Sequence, residues 1–226
     1  MPHPYDSSKS TLVLCNSSGT SADLYRHQYE NKDLNKLANL LAIELLGHGQ
    51  TRAKTENSTY WASVVMNLQV LDTLDIKGKV FVLGTSQGTP SFKPANEFYH
   101  FMNFTGFGKD IPTEDGKFWV KATQKNWDGD DGRRRARMCA INLRNRDGLH
   151  SRLFDVGIPV LWLHGDQDVV YSVANAQEEI KLFVNSPDAT LQVIEGGPHY
   201  LKYTKAKEVD AALTKFFSKY IKQAKL

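Results

Sequence analysis

The sequence predicts an α/β fold built on a parallel sheet, and three observations predict it. First, five strand-length segments are apolar almost without interruption: Thr11–Cys15, Leu40–Leu45, Val80–Leu83, Val160–Leu163 and Leu191–Ile194. A strand covered on both faces needs such a run, whereas a half-exposed strand alternates. Second, helical periods lie between these runs. Trp61, Val64, Val65, Leu68, Leu71 and Leu74 recur on one face behind a capping Ser58 or Thr59. Ala176, Ile180 and Phe183 follow Ser172 in the same way, and Val209, Leu213, Phe216 and Tyr220 form a further stripe. Third, the two kinds of element alternate, which is the pattern of parallel strands joined by helices.

Residues 91–150 break the rhythm. Helices are expected over Asn96–Phe104, Glu114–Trp127 and Asp131–Leu143, separated by Gly106, Gly108, Pro112 and Gly129, with no strand among them. Such an excursion between two core strands predicts a helical lid or cap within one domain spanning 1–226. Its aromatics (Phe92, Phe98, Tyr99, Phe101, Phe104, Phe107, Phe118, Trp119) are expected to be lid core, with some lining an apolar substrate wall.

A net charge of +3 is too mild to imply a nucleic-acid partner. Arg133, Arg134, Arg135 and Arg137 follow Asp130 and Asp131. Acidic residues at a helix start with arginines on a solvated face account for them, and an anionic-ligand patch is the alternative. Cys15 reads as a buried thiol, and two cysteines make no disulfide framework. The N-terminal MPHPYDSSKS has no apolar leader core, and no run reaches membrane-spanning length. A cytoplasmic location is expected, or a peroxisomal one. The final Ala224-Lys225-Leu226 resembles the Ser-Lys-Leu address, although a frayed helix end accounts for it equally.

Three motifs carry chemistry. Gly84-Thr85-Ser86-Gln87-Gly88 directly follows the strand KVFVL. Gly-x-Ser-x-Gly after a strand is the nucleophile-elbow pattern: the turn is sharp, both flanks favour glycine, and the serine oxygen is held clear of the backbone. His164-Gly165-Asp166-Gln167-Asp168 follows IPVLWL, and Gly196-Gly197-Pro198-His199 follows ATLQVIEG. In a parallel sheet all three sites lie at the carboxyl ends of strands, where open α/β sheets bind ligands. A serine needs a histidine to take its proton, and the histidine needs an acid to fix its tautomer. Ser86, His199 and an aspartate supply those types. The oxyanion of a tetrahedral intermediate needs backbone N–H donors. Gln87, directly after the nucleophile, is one candidate. The loop Asn16-Ser17-Ser18-Gly19 after the first strand supplies the other. His48 reads as a turn residue and His164 as a local backbone hydrogen-bond donor. No histidine spacing suits a metal, and no metal or cofactor is expected.

On these motifs the chain resembles α/β-hydrolases of the lipase, esterase and lactonase branch, more closely its fungal members. The order serine, acid, histidine is that family's order. The resemblance runs from Thr11 onward. It implies a catalytic triad of Ser86, Asp168 and His199, with Asp168 rather than Asp166 at the acid position of His-Gly-x-x-Asp. It places the second oxyanion N–H on Ser18, and Leu46-Gly47-His48-Gly49-Gln50-Thr51 is similar to the family's Gly-His-Gly turn. One stretch departs from the pattern. Where the family continues into a long apolar helix and another strand, Gly88 is followed by Thr89-Pro90-Ser91-Phe92-Lys93-Pro94, and Pro94 argues against a continuing helix. The core is therefore expected to be shortened by about one βα unit. The function implied is hydrolysis of a small apolar ester, lactone or thioester through an acyl-serine. The alternative is a shortened, inactive fold that only binds a ligand. An epoxide or haloalkane reaction would need an aspartate where Ser86 stands.

Overall fold

The structure is a computed structural model that describes residues 1–52, 55, 58–86, 96–145, 148 and 150–221. The chain runs β1 (Ser10–Cys15), α1 (Arg26–Glu30), α2 (Lys32–Leu37), β2 (Ala38–Ile43), α3 (Tyr60–Thr73) and β3 (Val80–Gly84). It continues through α4 (Asn96–Phe107), α5 (Thr113–Trp127), α6 (Gly129–Asn145), β4 (Val160–Gly165), α7 (Val173–Glu179), β5 (Ala189–Ile194), α8 (Leu201–Thr204) and α9 (Ala206–Ile221). Every expected strand forms, and every pairing is parallel. The three helices expected between β3 and β4 form as α4, α5 and α6.

Among the described residues the strands form two sheets. One has the order β2-β1-β3, and the other pairs β4 with β5. In the first, Leu12 lies opposite both Leu40 and Phe81. In the second, Trp162 lies opposite Leu191. Among the described residues no backbone hydrogen bond joins β3 to β4. Val82 on β3 and Ile158 just ahead of β4 stand 70% and 68% exposed.

One core nevertheless spans both sheets. Leu12, Leu14 and Leu40 from the first sheet and Ile194 from β5 pack with Val209, Leu213 and Phe217 of α9 and with Phe107 and Trp119 of α4 and α5. Phe217 meets Phe81 edge-on at 4.4 Å. Of the expected stripe of α9, Val209, Leu213 and Tyr220 are buried, whereas Phe216 is half-buried and Phe217 takes its place in the core.

Other differences have local causes. β2 begins and ends two residues before the apolar run. Glu44 leaves the strand to accept the amides of Ala22 (2.9 Å) and Gln50 (2.6 Å). Thr59 caps α3 by accepting from the Ala62 amide. The apolar face of α3 is uncovered among the described residues: Trp61, Val65 and Leu68 are all more than half exposed. Of the arginine cluster, Arg135 is not solvated. It is buried, donates to Asn126 Oδ1 at 2.9 Å and pairs with Asp131 at 3.0 Å. Among the helix aromatics Tyr99, Phe107 and Trp119 are buried, whereas Phe101, Phe104 and Phe118 are exposed. Cys15 is half-buried, and Cys139 is the buried thiol. Phe92, Pro90, Pro94 and the Ala224-Lys225-Leu226 tail lie outside the described residues. No helix among the described residues is long and apolar enough to cross a membrane.

A polar latch closes the fold far from the motifs. Asp188, just ahead of β5, accepts from Lys219 Nζ at 2.6 Å and from the Tyr220 hydroxyl, both on α9. The bonds from Lys219, Tyr220 and Thr190 pull its carboxyl down to about 2, against a small opposing effect of burial. A depressed carboxyl contributes stability above its unfolded value of 3.8 and loses it as pH falls toward 2. Wild-type protein should therefore lose thermal stability across that window, and Asp188→Asn should lose visibly less. Melts taken at steps between about pH 5 and pH 2 measure this. Parallel curves for the two proteins would refute it.

Candidate active site

The acid and the histidine are brought together by two crossing backbones. β4 ends in Gly165 and β5 runs into Gly196-Gly197. Gln167 N–H donates to the Gly197 carbonyl at 3.0 Å, and Asp166 N–H to the Ile194 carbonyl at 3.2 Å. A Cβ on Gly165 would sit 1.9 Å from the Gly197 carbonyl oxygen, so only glycine permits this approach. The crossing sets the Asp168 loop beside the His199 loop.

Among the described residues the carboxylate that reaches His199 is Asp168. Its Oδ2 lies 2.7 Å from His199 Nδ1. Its Oδ1 accepts the amides of Val170 (2.8 Å) and Tyr171 (3.1 Å). Both side chains are buried, with 5% of Asp168 and 12% of His199 exposed. Burial pushes the Asp168 carboxyl up. The His199 hydrogen bond, the imidazole charge and the two amides outweigh it, and hold the carboxyl below its ordinary value. A carboxylate only accepts, so Nδ1 carries a hydrogen, and the neutral form of this imidazole has its lone pair on Nε2. That Nε2 is buried with no hydrogen-bond partner among the described residues.

His164, expected to bond locally, does so with a consequence the sequence did not reveal. Its Nε2 lies 2.9 Å from the Tyr171 carbonyl. Tyr171 is thus staked at its carbonyl by His164 and at its amide by Asp168, which fixes the acid loop. His48 likewise bonds within its turn, to the Leu46 carbonyl at 3.0 Å.

Ser86 follows β3 by two residues and is half-buried. No hydrogen bond joins it to His199 among the described residues, so of the three expected residues the structure joins Asp168 and His199 by a hydrogen bond. The loop Asn16-Ser17-Ser18-Gly19 is what touches both sides. Ser18 N–H donates to the Ser86 carbonyl at 3.4 Å. Ser17 Oγ donates to the Thr85 carbonyl at 3.1 Å and accepts from Lys202 Nζ at 3.3 Å, three residues beyond His199. Asn16 organises the loop. Its Nδ2 donates to the carbonyls of Ser17 and Thr20, and its Oδ1 accepts the Leu45 amide. Gly19 has φ +72°, and a Cβ there would lie 2.9 Å from the Trp127 ring. Gln87 lies outside the described residues.

Two narrow clefts meet at Ser18. One, with about 270 Å³ of empty volume, is lined mostly by Met102, Phe107, Trp119, Trp127 and Tyr200. The other, about 320 Å³, runs between Leu45, Tyr60 and Met138. The helices beyond β3 are fastened over this end of the sheet. Arg26 of α1 holds both Asp115 oxygens of α5 at 2.8 Å, and the Tyr200 amide donates to the Gly106 carbonyl at 2.7 Å. Among the described residues no group of three or more His, Cys, Asp or Glu is placed to hold a metal ion.

No family model matches the chain, and no curated protein matches it by sequence. Many solved structures match its shape. An esterase from Exiguobacterium antarcticum superposes with a TM-score of 0.76 at 15% identity, over 93% of this chain and 92% of that one. A hydrolase from Oleispira antarctica gives 0.73 at 14% identity, over 93% and 91%. An N-acyl homoserine lactonase, AidH, gives 0.71 at 16% identity, over 92% and 89%. With these shapes and the parallel sheets, the chain has the α/β-hydrolase fold.

Proposed function

We propose that the protein is a serine hydrolase that cleaves a small apolar carboxylic ester, lactone or thioester through an acyl-serine intermediate. The observation that carries this reading is the buried Asp168–His199 pair, which leaves the lone pair of Nε2 without a partner among the described residues. Such an imidazole is a base lacking only the hydroxyl it should deprotonate. Ser86, at the end of β3, is the hydroxyl that the elbow motif supplies.

In this reading Ser86 Oγ attacks the substrate carbonyl, and its proton passes to His199 Nε2. Asp168 stabilises the imidazolium. His199 then protonates the departing alcohol or thiol, and water activated by the same imidazole releases the acid. The amides of Ser18 and Gln87 receive the oxyanion. Ser18 donates at only 3.4 Å to the Ser86 carbonyl, a weak bond that a charged oxygen outcompetes. The segment 91–150 acts as a lid, and the apolar wall of Phe107, Trp119 and Trp127 favours an apolar acyl or alkyl group. The names of the similar structures (esterase, hydrolase, lactonase) support hydrolysis as the reaction class.

A second reading, a shortened fold that binds a ligand without turning it over, is favoured by the lack, among the described residues, of a backbone bond joining β3 to β4 and of a Ser86–His199 hydrogen bond. Exposure to a fluorophosphonate separates the two readings. The serine hydrolase takes up one equivalent, mapped by peptide mass to Ser86, and turns over p-nitrophenyl acetate or butyrate. A protein that does neither is the binding form.

A further inference from the structure

Lys202 is buried to 2% exposure, an unusual place for a lysine. Its amine lies over the Tyr25 ring at 4.7 Å and donates to Ser17 Oγ at 3.3 Å. Among the described residues no carboxylate pairs with it. The ionisable groups around it are the Cys15 thiol at the end of β1 and the Tyr25 phenol. Its own carbonyl accepts from Gln28 Nε2 at 3.0 Å, and Gln28 also donates to Asp210 of α9 at 2.8 Å, so the backbone of α8 is pinned. Burial pushes the amine well below its ordinary value.

A lysine kept there costs stability, because burial disfavours the charged form that the unfolded chain keeps in water. An apolar side chain of similar length would fold better. What the amine supplies is a direction. Ser17 has a single hydroxyl hydrogen and donates it to the Thr85 carbonyl. A donor arriving on its lone pair, from Lys202, prevents that hydroxyl from turning round. Thr85 is the residue before Ser86, and Ser17 is the residue before Ser18. Tyr25, under the same amine, bonds the carbonyls of Cys15 (2.5 Å) and Leu83 (3.2 Å), joining the same two strand ends one step further down.

We propose that Lys202 is a positioning residue: through Ser17 it clamps the Ser18 amide against the Ser86 elbow. The clamp rests on the reading of Ser86 as nucleophile. It joins the segment carrying His199 to the two loops that would hold the oxyanion and the nucleophile, across two sheets that no backbone hydrogen bond joins among the described residues.

The test compares full-length wild type, Ser86→Ala, Lys202→Met, Ser17→Ala and the Lys202→Met/Ser17→Ala double variant on p-nitrophenyl butyrate. Lys202→Met and Ser17→Ala should each lower kcat about tenfold with KM within about twofold, because a misplaced donor weakens the transition state rather than substrate binding. The double variant should be no slower than the slower single, since both break one chain of contacts. Lys202→Met should melt at or above the wild-type temperature at neutral pH, and the gap should close as pH rises toward 10.5, the ordinary lysine value. A structural role alone would lower stability and activity together. The clamp is overturned if either single variant keeps kcat within about twofold of wild type, or if the two losses multiply. In those cases inactivity of Ser86→Ala leaves the nucleophile reading standing. Wild-type turnover by Ser86→Ala overturns the nucleophile reading and the clamp with it.

Discussion

Asp168→Asn protein should hydrolyse p-nitrophenyl butyrate about 10⁴-fold more slowly than wild type, with KM little changed. The size of the loss follows from how the carboxylate is held. Its Oδ1 accepts two amides, from Val170 and Tyr171, and only its Oδ2 faces His199. An asparagine must keep its oxygen on the two amides, because its NH₂ cannot accept from them. The NH₂ therefore faces Nδ1 and donates to it. His199 is driven into the tautomer with hydrogen on Nε2, where it can no longer take the serine proton. The side chain is isosteric and its loop contacts survive, so the protein should fold and bind as before. Circular dichroism and the melting temperature check that. A loss under about tenfold would mean that Asp168 does not set the tautomer of a working base.

The second large effect is on the fold. Gly165→Ala should destabilise the protein by more than about 4 kcal/mol, a drop of about 10 °C or more in Tm for a chain of this length. The added methyl would meet the Gly197 carbonyl oxygen at 1.9 Å, its carbon at 2.5 Å and the Pro198 oxygen at 3.0 Å. All three are backbone atoms at the crossing of the two loops, so no side-chain rotation relieves the clash. The β4 and β5 ends must separate, and the bonds from Asp166 and Gln167 across the crossing break with them. Denaturant titration measures the loss. Any folded remainder should label poorly with a fluorophosphonate, because Asp168 and His199 sit on the two loops being forced apart. A Tm within about 2 °C of wild type would show that the loops are free to shift.

These two expectations differ in where their information lies. That Asp168 rather than Asp166 faces the histidine is what the resemblance implied, since Asp168 matches the family's acid position in His-Gly-x-x-Asp. That its two oxygens have divided tasks could not be read from the sequence, because the amides of Val170 and Tyr171 meet Oδ1 in a loop whose Tyr171 carbonyl is also held by His164. Gly165 and Gly197 look in the sequence like ordinary loop glycines. Their need for small size comes from each other, across thirty-one intervening positions. Lys202 gave no signal either. A lysine three residues after a histidine, on a short helix, reads as solvated, and only packing against Tyr25 and Ser17 makes it a core amine.

The sequence by itself determined the local and periodic features. It set the five apolar runs that become parallel strands, the helices between them, and the strand-end loops that carry serine, acid and histidine. Those follow from hydrophobic pattern and turn chemistry, which neighbouring residues specify among themselves. Tertiary structure decided the rest. Among the described residues it buried Phe217 instead of Phe216, left the apolar face of α3 uncovered, buried Arg135, placed β3 and β4 in separate sheets, and set His199 on Asp168 while leaving Nε2 open. Each of those depends on which surfaces meet, and contacts between residues far apart in the chain are not encoded by either one alone.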